Sequence, residues 1–135
     1  MKIELTEKEF RRLLDMVYIG NWVLNSTRGS DRFTDYDHVQ SKIFKHCFEA
    51  GMDLLADDDG IATYPSAAFC AGGIHEAIAD YEDTTFFEIL AEEFALRDMN
   101  YEPIGLDNMD ELNMRIDEYI QEFEENGMDN ITLEN

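Results

Sequence analysis

Histidines and cysteines are the residues of this chain that could most readily act as metal ligands, nucleophiles or general bases. His75 and Glu76 begin as a zinc-binding HExxH motif would, but the fifth position is Ala79, so the second histidine is missing. Cys47 and Cys70 form no CxxC pair and have no partners at a zinc-binding spacing. We therefore predict no metal site and no cofactor, and we interpret both cysteines as reduced core residues.

Other catalytic patterns are also missing, since the sequence has no GxSxG, Walker or GxGxxG motif. An EF-hand with Gly60 as its sixth residue would begin at Leu55 and end at Ser66, which are not calcium ligands. Glu93 and Arg97 lie four residues apart in a predicted helix, and we interpret them as a partly buried ion pair. The sequence thus predicts no catalytic residue. The absence of these motifs favours a protein that is not an enzyme, but it leaves catalysis open.

The distribution of charge is the most unusual property of the sequence. Ten Lys and Arg residues stand against 31 Asp and Glu residues, for a formal net charge of −21, and residues 1–45 contribute +1 while residues 46–135 contribute −22. This charge repels nucleic-acid phosphates and anionic lipids, so we expect neither direct nucleic-acid binding nor membrane binding. With no secretory signal and no apolar run of about 20 residues, the sequence predicts a cytoplasmic protein.

Carboxylates on the last predicted helix are candidates for a partner-binding surface. Glu111, Glu118, Glu122 and Glu125 avoid the apolar stripe of that helix, and we predict that they contact a basic protein. A sharper version has this surface imitate the phosphates of a nucleic acid, so that the partner is a DNA-binding protein. A solvated helix face with no binding role is the alternative, and the sequence leaves it open.

The first predicted helix is apolar on two faces. Met16, Ile19 and Val23 project opposite its main apolar stripe, so this face is either buried within the domain or joins two copies in a homodimer. Asn21 falls inside the main stripe and must find hydrogen-bond partners, in the fold or in a ligand cavity. With the neighbouring Trp22, it marks a candidate pocket.

Hydrophobic periodicity predicts a mainly α-helical fold, with residues 1–135 forming a single-domain bundle of about five helices. Thr6 with Glu9, and Thr85 with Glu88, are capping boxes that predict two helix starts. Alternating polar and apolar residues at 2–5 and 130–134 also allow the termini to pair as a minor two-stranded β ribbon. Five predicted helices run from Thr6 to Ser26, Thr34 to Gly51, Gly73 to Asp83, Thr85 to Met99 and Asn108 to Gly127.

From these observations we predict a non-enzymatic cytoplasmic interaction protein whose acidic surface, within residues 46–135, docks a basic protein partner. The alternative is a small enzyme, or a protein that binds a ligand or divalent metal, with its pocket near Asn21 and Trp22. The two hypotheses place function on different helices. Charge reversal on the last helix therefore separates them.

Overall fold

A computed structural model of the protein describes residues 1–134. Its fold is mainly α-helical with one small two-stranded antiparallel sheet, which confirms the predicted fold class. The backbone groups into two compact units, Met1–Ile78 (the N-terminal unit) and Ala79–Asn135 (the C-terminal unit), and their boundary lies inside the longest helix. We describe each unit by itself. The prediction that the chain is a single domain stays a prediction.

The N-terminal unit begins with a helix whose ends follow from local sequence. The backbone N–H of Thr6 donates to Glu9 Oε2 at 2.8 Å and that of Glu9 donates to Thr6 Oγ1 at 3.2 Å, so the predicted capping box forms. The unit contains α1 (Glu7–Asn25), α2 (Thr34–Lys45), a 3₁₀ turn (Asp53–Leu55), β1 (Ala56–Asp58), β2 (Thr63–Pro65), α3 (Ala67–Phe69), a π turn (Cys70–Ile74) and the start of α4 (His75–Asp98).

The β ribbon lies in the middle of the chain, and its predicted position at the termini is wrong. Asp57 of β1 pairs with Tyr64 of β2, and the Asp59 carboxylate accepts backbone hydrogen bonds from Ile61 and Ala62 in the turn between them. Residues 1–6 and 131–134 contain no strand. A hairpin closes only a few residues, whereas pairing the termini would close almost the whole chain at a larger entropic cost.

The core of the N-terminal unit forms where α1, α2 and the α3 segment meet. Leu14, Phe44, Cys47 and Phe69 are fully buried, and the rings of Phe44 and Phe69 meet edge to face at 5.1 Å between centroids. α2 therefore faces the core through Phe44. Tyr36 and Val39 of the same helix are exposed.

The C-terminal unit consists of the remainder of α4 and of α5 (Met109–Asn126). The predicted third and fourth helices form a single helix, because α4 continues through the capping box at Thr85 and Glu88 without interruption. The Thr85 hydroxyl donates to the Tyr81 carbonyl at 2.7 Å, a bond typical of threonine inside a helix. No glycine or proline lies between residues 75 and 98 to end the helix, so the local cap motif is overridden.

Aromatic rings and small residues pack α5 against this part of α4. The ring centroids of Phe87 and Phe94 lie 5.4 Å and 6.2 Å from that of Phe123, while Ala91 and Ala95 are fully buried. α5 ends at Gly127, as predicted, with φ of +56°. No helix in the described part of the chain is both long and apolar enough to cross a membrane.

Candidate functional sites

Asn21 and Asn25 form a buried polar network that joins α1 to the start of α2. They are 5% and 1% exposed, and the Asn25 amide nitrogen donates to Asn21 Oδ1 at 2.6 Å. Asn25 also accepts from the Phe33 backbone N–H at 2.8 Å and donates to the Phe33 carbonyl at 3.1 Å. The Asn21 amide nitrogen donates to Asp37 Oδ1 at 2.9 Å. Burial of Asn21 is thus as predicted, and its partners are side chains of the fold.

Asp37 is the charged end of this network. Arg32 donates to its two carboxylate oxygens through Nε at 2.6 Å and Nη2 at 2.7 Å. Hydrogen bonding from Arg32, with a smaller contribution from Asn21, lowers the pKa of Asp37 below its usual value. Asp37 also lies in the first turn of α2, where a negative charge complements the helix dipole. The network therefore stabilises the α1–α2 connection while it keeps Asp37 ionised.

An open recess lies beside the predicted pocket residues. It has a volume of about 280 Å³ and is lined by Tyr18, Asn21, Trp22, Ser26, Arg32 and Gln40; we call it the Trp22 recess. A larger groove of about 800 Å³ lies between α2 and the β ribbon, with Lys42 and Lys45 among its lining residues. Arg32 lines both spaces. Aromatic, amide and guanidinium side chains line the recess.

Three side chains with acid-base or nucleophilic chemistry meet next to this recess. The Tyr18 hydroxyl lies 2.6 Å from His75 Nε2, and Cys70 Sγ donates to the same hydroxyl at 3.7 Å. The rings of Trp22 and His75 meet edge to face, with centroids 6.1 Å apart. Burial, followed by the hydrogen bond from Cys70, raises the pKa of Tyr18 to about 12. Tyr18 therefore stays protonated across the physiological pH range.

Local backbone geometry brings Cys70 and His75 to the same side of α1. Cys70 begins the π turn and His75 is the first residue of α4. Between them, Gly73 has φ of +106°, a conformation that glycine adopts without steric cost. The dihedral angles of Gly72 and Gly73 are not helical, so the chain kinks between α3 and α4. No local spacing in the sequence indicates this contact, because Tyr18 is 52 residues from Cys70.

The predicted partner-binding residues lie on one face of α5. Glu111, Glu118, Glu122 and Glu125 are spaced by seven, four and three residues, which places them in a single row that we call the α5 stripe. The side chains of Glu118 and Glu125 are exposed, and Glu122 is half-buried.

Neighbouring polar side chains contact the α5 stripe. Glu111 pairs with Arg115 at 3.0 Å, and Gln121 donates to Glu125 at 3.1 Å. Asn126 and Asn130 donate to Glu122 at 3.1 Å and 2.6 Å. Of these partners, Arg115 alone is charged. The stripe therefore keeps most of its negative charge.

The two structural units also differ in charge, although their boundary follows Ile78 and the charge step in the sequence follows Lys45. Residues 79–135 contain 18 acidic and two basic residues, a net charge of −16, whereas residues 1–78 contain 13 acidic and eight basic residues, a net charge of −5. Both basic residues of the C-terminal unit are in ion pairs, Arg97 with Asp98 at 3.1 Å and Arg115 with Glu111 at 3.0 Å. The acidic surface of this unit is thus largely uncompensated.

The predicted ion pair between Glu93 and Arg97 is wrong. The Arg97 guanidinium lies over the Phe94 ring, 4.7 Å from its centroid, and donates to Asp98, while Glu93 is exposed. A hydrogen bond from Tyr119, followed by the hydrogen bond from Arg97, lowers the pKa of Asp98. The aromatic face and the anchored carboxylate attract the guanidinium more strongly than a solvated glutamate does.

The second apolar face of α1 is only partly used by the fold. Ile19 packs against the core of the N-terminal unit, but Met16 and Val23 are 71% and 59% exposed. The option that this whole face is buried within the domain is therefore wrong for Met16 and Val23. Their role in a homodimer stays a prediction.

No protein-family model matches this chain, and no match was found among the curated proteins or solved structures with which it was compared. Within residues 1–134, no group of three or more histidine, cysteine, aspartate or glutamate side chains is arranged to hold a metal ion.

Proposed function

We propose that the C-terminal unit docks a basic segment of a protein partner on the α5 stripe and that the protein catalyses no reaction. The observation that carries this proposal is the row of Glu111, Glu118, Glu122 and Glu125 in a unit whose two arginines are already paired. A lysine- or arginine-rich partner would relieve the repulsion among these carboxylates. Complementary charge of this kind mainly increases association rate and specificity.

The charge density of α5 supports a strongly basic partner. Residues 110–125 carry seven carboxylates and one arginine. With a helical rise of about 1.5 Å per residue, this is one net negative charge for roughly every 4 Å of helix. One DNA strand carries one charge for about every 3.4 Å along the duplex axis. The linear charge density of α5 is therefore comparable to that of one DNA strand. This supports the narrower proposal that the partner is a DNA-binding protein and that α5 imitates DNA.

An apolar side chain in the middle of the acidic face adds to the specificity of the surface. Met114 is 55% exposed, and carboxylates lie three and four residues to either side of it on the helix. Methionine adapts its shape to different apolar partners. The surface therefore suits an amphipathic segment that places one apolar residue on Met114 and basic residues around it.

A second candidate function is binding of a small ligand in the Trp22 recess, and the convergence of Trp22, Asn21 and Gln40 favours it. A divalent metal or a small-molecule substrate would fall under the same hypothesis. A ligand that binds the folded state raises the melting temperature as its concentration rises. A dose-dependent shift that is lost in Trp22→Ala would favour this function.

We also assign the protein to the cytoplasm. Cys47 and Cys70 are both free thiols, which fits a reducing compartment. Docking, cytoplasmic location and self-association through Met16 and Val23 are separate parts of the proposal. Each can fail without the others.

Docking is tested by two double variants with the same change in charge. Glu118→Lys with Glu125→Lys alters the α5 stripe, while Asp117→Lys with Glu124→Lys alters exposed residues about 100° around the helix. Partners are captured from native lysate at about 50 mM and 500 mM salt, across which the Debye length falls from about 14 Å to about 4 Å.

We expect a basic protein that is retained at low salt, released at high salt, lost with the stripe variant and kept with the flanking variant. Equal losses with both variants would mean that net charge alone is responsible. Binding unaffected by either variant would exclude docking on α5. A DNA fragment added as competitor then tests mimicry, because a partner that DNA does not displace would exclude it.

A further inference from the structure

We propose that Cys70 is a reactive thiol that transfers its proton through the Tyr18 hydroxyl to His75 and forms mixed disulfides with low-molecular-weight disulfides. The relevant side chains all belong to the N-terminal unit, and the site is separate from the docking surface on α5. The ligand that we propose for this site is a small disulfide. The inference stands whether or not docking is correct.

The geometry supplies a continuous path for the proton. Cys70 Sγ–H donates to the Tyr18 oxygen at 3.7 Å, and that hydroxyl reaches His75 Nε2 at 2.6 Å. In the tautomer with its proton on Nδ1, the imidazole accepts from Tyr18. Histidine is the side chain that takes up a proton near neutral pH, whereas Tyr18 resists losing one. Tyr18 is therefore a carrier, and His75 is the base.

The chemical step is thiol–disulfide exchange. The Cys70 proton moves to Tyr18 while the Tyr18 proton moves to His75 Nε2, which leaves a thiolate, a neutral tyrosine and an imidazolium. The thiolate attacks one sulfur of the small disulfide, so that a new S–S bond forms and the old one breaks. The departing thiolate takes the bonding electron pair, and it takes up the proton that His75 releases. No further oxidant or reductant is consumed.

Charged residues lie on the elements that carry the cluster. On α1, Arg11 lies over the Phe69 ring at 4.9 Å, and its Nη2 is 3.9 Å from where a Cβ on Gly72 would lie. Asp15 pairs with Arg11 at 2.7 Å, so this positive charge is partly compensated. Glu76 follows His75 on α4. Cys70 itself is half-buried, and a partly exposed site admits a reagent.

Cys47 provides an internal control. It is fully buried in the same unit, and burial raises the pKa of its thiol. Cys70 is half-buried and has a hydroxyl within reach of its sulfur. We therefore expect the two thiols to react at very different rates in the folded protein and at similar rates once the chain is unfolded.

The experiment follows the reaction of the full-length protein with dithiobis-nitrobenzoate, a disulfide that releases a coloured thiolate, and peptide mapping assigns the modified cysteine. We expect one fast equivalent at Cys70 that disappears in Cys70→Ser. If the thiolate population of Cys70 falls tenfold, the remaining thiolate is a stronger nucleophile. The reaction rate therefore falls by only about threefold. Tyr18→Phe and His75→Gln should therefore each slow the fast phase by about threefold to tenfold.

Two exposed residues of the same unit serve as matched controls. Tyr36→Phe and His46→Gln remove the same chemical groups away from Cys70 and should leave the rate unchanged. In about 6 M guanidinium the wild type and all variants that retain both cysteines should react alike, which separates an effect of the fold from a change in the reagent. His75 is exposed, so His75→Gln decides the question even if Tyr18→Phe disturbs packing. Reaction of Cys47 as fast as Cys70, or an unchanged rate in folded His75→Gln, would overturn the proposal.

Discussion

Replacement of Asn25 by alanine tests the buried network between α1 and α2. The substitution removes three hydrogen bonds, one to the Asn21 side chain and two to the backbone of Phe33. Asn25 is the last residue of α1 and is 1% exposed, so water cannot readily replace its amide. Phe33 is exposed, so its backbone groups can be hydrated after the change. The main cost therefore falls on the buried Asn21 oxygen.

The magnitude follows from these environments. Each neutral hydrogen bond typically stabilises the folded state by about 0.5–1.5 kcal/mol. A buried polar group left without a partner destabilises it by about 1–3 kcal/mol. With the Phe33 groups partly rehydrated, we expect Asn25→Ala to lower the free energy of unfolding by about 2–4 kcal/mol. The free energy of unfolding of a small protein is about 5–15 kcal/mol in total, so the effect is readily measured.

Urea unfolding monitored by tryptophan fluorescence is the appropriate assay, because Trp22 is the one tryptophan in the chain and lies on α1. The transition midpoint should fall while the slope stays constant. Asn126→Ala is the matched control, since Asn126 is the last residue of α5 but is exposed. It should change the free energy of unfolding by less than about 0.5 kcal/mol. A similarly small change in Asn25→Ala would refute the assigned role of the network.

Three further predictions concern the N-terminal unit. Leu14→Ala should cost about 2–5 kcal/mol in the same urea assay, because a fully buried leucine leaves a cavity. Since the pKa of Asp37 is lowered in the folded state, its stabilising effect should be fully present above about pH 4 and lost as the pH falls through the folded-state value. Urea titrations of wild type and Asp37→Asn from pH 7 to pH 2 should therefore converge at the acidic end. Met16→Ser with Val23→Ser should change the free energy of unfolding by less than about 0.5 kcal/mol, and light scattering of the same variant tests the predicted homodimer.

Local motifs were reliable where nothing nearby competed with them. The pair Thr6 and Glu9 caps α1 because the residues before it are not helical. The same motif at Thr85 and Glu88 lies within a segment that is helix-forming on both sides, so helix continuation prevails. Asn21 could be placed in the core from spacing alone, since one residue inside an apolar stripe shares its burial.

Tertiary contacts account for what the sequence could not predict. The contact of Tyr18 with His75 and Cys70 joins α1 to the π turn, and neither residue type nor spacing reveals it. Arg97 was predicted to pair with Glu93, but it pairs with Asp98, which the Tyr119 hydroxyl of α5 also contacts. Side-chain pairings of this kind depend on a second helix or turn. The pattern of a single sequence does not give the position of that second element.

Arg32 has a consequence for any ligand of the N-terminal unit. Its guanidinium lines both the Trp22 recess and the groove along α2, and it also binds Asp37 through two hydrogen bonds. An anion that enters either space must compete with Asp37 for the same donors. Binding of an anion by Arg32 and the stability of the α1–α2 connection are therefore thermodynamically linked. A bound anion would register as faster hydrogen exchange at the Phe33 amide, which the network holds through the Asn25 side chain.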